Sequence, residues 1–254
     1  SYYVFGSGAA EQYHMRWLGQ HLPDDGLVQL EALGVGLVGL SIAGPASRSV
    51  LQAVVSTDVS AKAFSFLDFR RMEVAMIPAM VGRITFTGDL GYELWVRPEY
   101  LRTLFCALQA AGEPYGLRLF GSRALDSLRL DKGFGSWAHE YRPIYGPYAA
   151  GMGFFVKPEK GEFVGRAAAI AERDTGPVRR LVTFAVDAVD ADVIGDEPIW
   201  HDDEVVGWVT SGGYAHWSQQ SVALGYVPSE FAEVGENFEI EIHGVRRNAV
   251  LLKE

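Results

Sequence analysis

The clearest alternation of apolar and polar positions lies within residues 83–97. Glu93 alternates there with Tyr92 and Leu94. A period of two places successive side chains on opposite faces of a strand, so Glu93 should face away from both apolar neighbours. Gly-Asp-Leu-Gly at 88–91 supplies glycines that can adopt the positive φ of a short turn. The pattern therefore predicts a hairpin with one strand before this tight turn and one after it.

The N-terminal part of the chain alternates between strand-like and helix-like patterns. Residues 35–43 are nearly all apolar, which favours a strand near the centre of its sheet. Tyr13 and Trp17 have the four-residue spacing of a pair on one helix face. The predicted order is strand, helix, strand, strand and helix, at residues 2–5, 9–20, 28–32, 35–43 and 50–54.

Two further helices are predicted in the middle of the chain. The first begins near Pro98 and ends at Gly112, and its apolar residues recur with helical spacing at Leu101, Leu104, Phe105 and Leu108. The second covers residues 121–133, with a serine near its start and a glycine at its end.

An irregular aromatic segment then covers residues 134–147. Long ordered loops of this kind line binding sites, and they also pack between subdomains, so the residues leave both interpretations open. A short strand is predicted after it, at residues 151–156. A short helix follows and ends near Glu172.

The last third of the chain carries short apolar runs separated by turn residues. This pattern predicts a small antiparallel barrel or sandwich. Its strands are expected at residues 181–186, 205–210, 222–227, 238–242 and 249–252. The change of pattern near residues 174–177 predicts an α+β region at 1–173 and a β domain at 174–254.

The composition and net charge of the chain argue against two classes of binding partner. The chain has 254 residues and a net charge of −10, with 22 basic against 32 acidic residues and no basic cluster. This balance argues against nucleic acid and against anionic membrane surfaces. No apolar run approaches the roughly 20 residues that span a bilayer, and there is no signal-peptide pattern. We therefore expect a soluble protein of the cytoplasm, or of the mitochondrial matrix in a eukaryote.

The sequence carries no metal or disulfide signature, and its one glycine-rich run, Gly-Val-Gly-Leu-Val-Gly at 34–39, lies inside an apolar strand-like stretch and makes a poor dinucleotide fingerprint. Cys106 is the single cysteine, which excludes an internal disulfide, and its apolar helical surroundings predict a buried core thiol. The six histidines are scattered without the spacing of metal ligands. Neither a Gly-x-Gly-x-x-Gly motif that opens a helix nor a Walker loop occurs.

Glu93 is the candidate for binding chemistry. A carboxylate on a rigid strand beside aromatic residues can accept two hydrogen bonds at once, which suits a flat heterocycle with two adjacent N–H donors. A hairpin with a solvated glutamate is the simpler interpretation of these residues alone.

Several motifs, taken in order, resemble the glycine-cleavage T-protein (aminomethyltransferase) superfamily. Residues 83–93, Arg-Ile-Thr-Phe-Thr-Gly-Asp-Leu-Gly-Tyr-Glu, resemble its strand–turn–strand signature, and residues 124–132 resemble its next helix. Further landmarks follow in family order at residues 147–157, 161–166, 207–214 and 223–227. The resemblance covers essentially the whole chain. It is closest to the folate-binding C-terminal region of dimethylglycine and sarcosine dehydrogenases or oxidases.

This resemblance implies a fold, a cofactor and a reaction class. The implied fold is α+β and T-protein-like, with ferredoxin-like α/β subdomains and a C-terminal small antiparallel β-barrel, arranged as three subdomains around a folate. The implied cofactor is tetrahydrofolate, which accepts a one-carbon unit from an N-methyl amine. The expected function is tetrahydrofolate-dependent aminomethyl transfer, and the expected partners are folate and a methylated amine.

The resemblance also assigns residues to the cofactor. It implies that Glu93 holds the amidic edge of the pterin and that the other cofactor-binding residues are Arg83, Phe86, Phe66 and Phe154. The chain departs from the family at four positions. Phe86 and Phe66 stand where tyrosine is common, so each keeps a stacking face and loses a hydroxyl. Leu125 replaces an arginine that meets the glutamate tail of folate, and Ala149 replaces a common glutamate.

The family's catalytic aspartate lies upstream of the strand expected at residues 2–5. We therefore expect no catalytic residue within this chain, a missing N-terminal segment, and no turnover by these residues alone. FAD is expected only if a separate upstream domain exists.

Three hypotheses remain open on the sequence. The chain is the folate-binding part of an N-methyl amine dehydrogenase or oxidase, a folate-dependent demethylase of another methyl donor, or a non-catalytic folate-binding protein on the same fold.

Overall fold

The computed structural model of the protein describes residues 2–233 and 235–252. The chain divides into two compact units, a first unit at residues 1–119 and a second unit at residues 120–254. The division into a folate-binding region and a barrel domain at 173/174 stays a prediction. Within the described residues, no helix is long and apolar enough to cross a membrane.

The first unit is a two-layer arrangement of helices and an antiparallel sheet. Its helices are α1 (Glu11–Gly19), α2 (Ser47–Gln52) and α3 (Leu101–Gly112), and its strands are β1 (Val38–Ala43), β2 (Phe69–Val74), β3 (Ile77–Gly82) and β4 (Gly91–Val96). These described strands pair in the order β1-β4-β3-β2. The inner strands β4 and β3 therefore have neighbours on both sides.

One face of this sheet is the core of the first unit. Tyr92 and Leu94 of β4 are fully buried on that face, as the alternation predicted. They share a hydrophobic cluster with Leu51 of α2 and Leu104 and Leu108 of α3. The same alternation places Glu93 on the other face of β4.

Three strand predictions in the first unit are wrong, and a fourth strand is present but lies elsewhere in the sheet than predicted. Residues 2–5 and 28–32 have no strand partner, and residues 83–87 belong to an eight-residue loop between β3 and β4 rather than to a tight hairpin. The run at 35–43 contributes only β1, which lies at the edge of the sheet and not near its centre. Its apolar appearance comes partly from glycines, which have no side chain to bury.

Cys106 is exposed, so the predicted core thiol is wrong. It lies two residues from each of the buried Leu104 and Leu108 on α3. Two residues correspond to about 200° around a helix, so Cys106 is on the solvent side.

The second unit contains helices α4 (Ser122–Asp131) and α5 (Arg166–Thr175) and a closed barrel. Six of the described strands close this barrel in the order β10-β5-β8-β7-β6-β9. They are β5 (Arg179–Val186), β6 (Pro198–His201), β7 (Glu204–Ala215), β8 (Gln220–Pro228), β9 (Asn237–Ile242) and β10 (Val245–Leu251). The predicted C-terminal antiparallel β-barrel, and with it the α+β class, is confirmed.

Two details of the second unit differ from the prediction. The strand expected at 151–156 is a short 3-10 turn, Gly153–Phe155, which follows Gly151 at φ +70°. The four-residue β6 was not predicted, because its length and its initial Pro198 give almost no alternation to detect.

A buried ion pair attaches the irregular segment 134–147 to the barrel. Glu140 is completely buried, and its Oε2 lies 3.6 Å from Nη1 of Arg129 on α4. Ser136 N donates to Glu140 Oε2 at 2.7 Å, and Ser211 Oγ on β7 donates to Glu140 Oε1. Arg129 Nη1 also donates to Ser211 Oγ at 2.9 Å. Helix, loop and barrel are thus joined at one carboxylate.

The other turns of α4 are attached to the same part of the barrel. Ser127 Oγ donates to the carbonyl oxygen of Tyr214 at 2.9 Å and accepts from His216 N at 3.1 Å. At the end of the helix, the Asp131 carboxylate accepts from the backbone N–H groups of Trp217 and Ser218, both at 3.1 Å. These polar contacts fix the register of α4 along β7.

We predict that Glu140→Ala destabilises the second unit by about 3–5 kcal/mol, because it leaves the buried Arg129 without its counter-charge. Urea-dependent hydrogen exchange in β7 peptides measures this loss. Asp126→Asn is the matched control, since Asp126 pairs with the same arginine but its side chain is 63% exposed. The control should cost less than about 1 kcal/mol. Equal effects of the two substitutions would contradict the assignment.

Candidate functional site

Glu93 lies on the inner strand β4, on the sheet face opposite the core of the first unit and level with the end of β3. In the antiparallel register it pairs with Ser41 of β1 on one side and Gly82 of β3 on the other. Residues directly opposite in neighbouring strands point to the same face. The two cross-strand neighbours of the carboxylate are therefore a small hydroxyl side chain and no side chain at all.

An aromatic cluster borders this position. The ring centroid of Trp95, two residues after Glu93, lies 4.4 Å from that of Phe5 and 5.5 Å from that of Phe69. A Cβ on Gly82 would lie 3.2 Å from the Trp95 ring and 3.3 Å from the Phe69 ring. The glycine therefore lets two aromatic rings pack closely against the sheet beside Glu93.

The Glu93 carboxylate is half-buried and has no hydrogen bond or ion pair to any residue in the described part of the chain. Burial raises the pKa of Glu93 above its ordinary value. A partly desolvated carboxylate without a partner costs stability unless a ligand supplies donors. Glu93 can accept two hydrogen bonds from a bound molecule.

The loop at residues 83–90 begins and ends beside this carboxylate, because it connects Gly82 to Gly91. A Cβ on Gly91 would lie 2.8 Å from both the carbonyl oxygen of Ile42 and the Cβ of Thr85, so the loop packs directly against the strand ends. Thr87 N donates to Thr85 Oγ1 at 3.2 Å inside the loop. The loop that carries Arg83 and Phe86 is thus held at the sheet.

Arg83 attaches a second segment to this loop. Its Nη1 donates to the carbonyl oxygen of Phe64 at 2.8 Å, and backbone hydrogen bonds join Arg83 to Leu67 and Asp68 at 3.1 and 2.9 Å. The turn that these contacts fix contains Phe66, whose side chain is 68% exposed. The Nε of Arg83 is buried without a hydrogen-bond partner among the described residues.

The structure thus places four of the five predicted cofactor-binding residues, Glu93, Arg83, Phe86 and Phe66, in the first unit, on β4 and on two segments that Arg83 joins. Phe86 is half-buried there. Phe154 belongs to the second unit, where it is 66% exposed and its ring lies 3.8 Å from that of Phe155. The binding role of all five residues stays a prediction.

Ser41, Gly82 and the aromatic cluster were not predicted as neighbours of Glu93. Their alignment depends on the register between β1, β4 and β3, which a single sequence does not encode locally. The small residues Gly39 and Ser41 at alternate positions of β1 are the one signal that could have indicated an open face.

Ala149 and Leu125, which replace two family residues, both belong to the second unit. The turn around Ala149 receives a carboxylate from α5 instead: Glu172 accepts from Tyr148 N at 3.3 Å and from Ala149 N at 3.1 Å. Leu125 is half-buried on α4. Among the residues with described positions, no cluster could hold a metal ion.

Two protein-family models match most of this chain. The GCVT N-terminal domain model matches residues 1–160, and the glycine cleavage T-protein C-terminal barrel model matches residues 179–254. The chain belongs to the glycine cleavage T-protein family. The match includes both compact units, and the second model agrees with the closed barrel.

Relatives of this T-protein family member include proteins of different length. It is 37% identical over 253 residues to human mitochondrial dimethylglycine dehydrogenase, and these residues span only 29% of that protein. It is 32% identical to the aminomethyltransferase of Geobacillus thermodenitrificans, covering 99% of this chain and 68% of the relative. A further relative is mouse mitochondrial sarcosine dehydrogenase, 35% identical over 228 residues.

The fold comparison agrees with the family assignment. The crystal structure of glycine cleavage system aminomethyltransferase T from Bartonella henselae superposes with a TM-score of 0.83, covering 96% of this chain and 65% of that one. At 23% identity this similarity concerns the fold alone. The predicted T-protein-like fold and family resemblance are confirmed.

We predict that Glu93→Gln stabilises the ligand-free protein at neutral pH. The raised pKa means that the folded state binds the Glu93 proton more tightly than the unfolded chain, so stability falls as pH rises from about 4.5 through the folded pKa. The substitution removes this penalty and should raise Tm by roughly 2 °C at pH 7.

Calorimetric scans at pH 7 and at pH 3.5 test this prediction. Below the ordinary pKa the advantage of the variant should vanish, since the glutamate is protonated in both states. Glu73→Gln is the control, because Glu73 is exposed on β2 of the same sheet. A lower Tm for Glu93→Gln at pH 7 would show that the carboxylate is stabilising and refute the assignment.

Proposed function

We propose that the protein binds tetrahydrofolate through Glu93 and supports the transfer of a one-carbon unit from an N-methyl amine. The observation that carries the proposal is the half-buried carboxylate of Glu93, which has no protein partner among the described residues and lies on an open sheet face. The reduced pterin ring has adjacent N–H donors on one edge. One carboxylate can accept both of them.

The surroundings of Glu93 fit a flat ring system. Ser41, the cross-strand neighbour on β1, is small and exposed, and on the β3 side the Trp95 and Phe69 rings pack over Gly82 and provide an apolar border. Apolar pockets with few well-placed polar groups are typical of small-molecule sites. Phe86 and Phe66 are proposed to contact the same ligand, and Arg83 is proposed to hold the segments that carry them.

Bound tetrahydrofolate would supply the acceptor for the one-carbon unit. The contribution of this chain is to hold the pterin in one orientation and to limit its access to water. Relatives named aminomethyltransferase, dimethylglycine dehydrogenase, sarcosine dehydrogenase and 4-methylaminobutanoate oxidase support an N-methyl amine as the methyl donor. FAD, which could accept the electrons of an amine oxidation, is proposed only in a separate domain.

Glu93→Gln should weaken tetrahydrofolate binding by about 10- to 100-fold in isothermal titration calorimetry. The amide replaces one acceptor by a donor that faces the donors of the pterin, and hydrogen bonds to a charged group contribute about 1.5–3 kcal/mol. Glu73→Gln on the same sheet should bind like the unchanged protein. Loss of affinity in both variants, or in neither, would refute the proposed contact.

The methyl donor is tested by product analysis with the full-length native protein, tetrahydrofolate, FAD as the electron acceptor and donors labelled in the methyl carbon. We expect label on the folate from dimethylglycine or sarcosine and none from a sulfonium compound. Label from the sulfonium alone would favour a demethylase of another donor. Binding without any transfer would favour a non-catalytic folate-binding protein, the hypothesis that the four departures from the family, Phe66, Phe86, Leu125 and Ala149, support.

A further inference from the structure

The second unit contains a cavity of about 480 Å³ at one end of its barrel. The turn at 148–151, the end of α5, the start of β5 and the end of β10 line it, together with Ala232. Leu251 pairs with Phe184 in antiparallel register, so the start of β5 and the end of β10 lie at the same end. Barrel mouths are frequent ligand sites, and the volume falls within the roughly 300–1,000 Å³ of such sites.

Hydrogen bonds between the lining segments hold the cavity walls in place. Leu181 N on β5 donates to the carbonyl oxygen of Ala149 at 2.8 Å, which joins the turn to the barrel. Leu252 N donates to the carbonyl oxygen of Thr183, also at 2.8 Å. The Glu172 carboxylate fixes the turn from the side of α5, through the two backbone contacts described above. The walls of the cavity are therefore formed before any ligand binds.

The polar groups that line the cavity are predominantly cationic. Arg173 and Arg180 both line it, and no acidic residue is among the described lining residues. Nε of Arg173 is paired with Asp174 at 2.8 Å. Arg180 has no hydrogen bond or ion pair to a described residue. An arginine without a partner among the described residues therefore lines a cavity whose other lining residues, apart from Arg173 and Tyr148, are apolar or glycine, in a chain whose net charge is −10.

The direction of Arg180 follows from the alternation along β5. Val182, Phe184 and Val186 are buried in the barrel core, and Arg180 is the next residue of the same parity toward the strand's start. Side chains of equal parity point to the same face of a strand. Arg180 therefore lies on the same strand face as this buried row, and it is exposed at the point where the barrel opens into the cavity.

We propose that this cavity binds a small monocarboxylate with an apolar body, whose carboxylate contacts Arg180. The planar fork of an arginine matches a carboxylate with two parallel hydrogen bonds. One unpaired cation matches one negative charge, and the apolar lining matches the remainder of the ligand. A zwitterionic amino acid fits less well, because no lining carboxylate would receive its ammonium group. The proposal is independent of the folate site.

Hexanoate is the probe, with hexan-1-ol and hexylamine as neutral and cationic molecules of the same length. Isothermal titration calorimetry on the 254-residue chain should show saturable 1:1 binding of hexanoate, at least ten times tighter than hexan-1-ol, and no binding of hexylamine. Arg180→Met keeps the apolar stem and removes the charge. It should weaken hexanoate at least tenfold and leave hexan-1-ol unchanged.

Three further variants make the test specific. Arg102→Met, at an exposed arginine of α3, should leave hexanoate binding unchanged. Glu93→Gln should also leave hexanoate binding unchanged, and this result would separate the present proposal from the folate proposal. Leu252→Trp should fill the cavity and abolish binding of both hexanoate and hexan-1-ol. Absence of saturable hexanoate binding, equal affinity for hexanoate and hexan-1-ol, or an unchanged hexanoate affinity in Arg180→Met would overturn the proposal.

Discussion

The alternation of side chains along β4 is the constraint on which the candidate site depends. Tyr92 and Leu94 are fully buried, so the strand cannot slip by one residue without exposing them and burying Glu93. The stability of the core thus fixes which face the carboxylate occupies. Ser41 and Gly82 complete the effect, because their small size leaves the carboxylate half-buried yet unpartnered. The first unit therefore contains a half-buried carboxylate that forms no hydrogen bond or ion pair with its own described side chains.

In the second unit, by contrast, the buried carboxylate of Glu140 has protein partners. Glu140 is surrounded by Arg129, Ser136 and Ser211, and every contact serves to join α4 and the irregular segment to the barrel. A buried carboxylate with such partners is structural, whereas a half-buried one without protein partners is the basis of the ligand site proposed here. Arg180 resembles Glu93, because it also has no hydrogen bond or ion pair to a described residue.

Features with strong local periodicity could be predicted from the sequence. They include the helix at Leu101–Gly112, the antiparallel barrel and the face that Glu93 occupies. Features that depend on tertiary context could not. The aromatic run at 2–5 resembles a strand because Tyr3 and Phe5 pack on a sheet face without joining its ladder. The neighbours of Glu93 depend on strand register, and the exposure of Cys106 depends on which helix face α3 buries.

The most direct test of the central claim is the pKa of Glu93 itself, measured from its side-chain ¹³C chemical shift and assigned by loss of the signal in Glu93→Gln. Without ligand the pKa should lie above that of an ordinary glutamate, as burial dictates. Saturation with tetrahydrofolate should lower it, because N–H donors from the pterin favour the ionised carboxylate. A pKa that tetrahydrofolate leaves unchanged or raises would contradict the account.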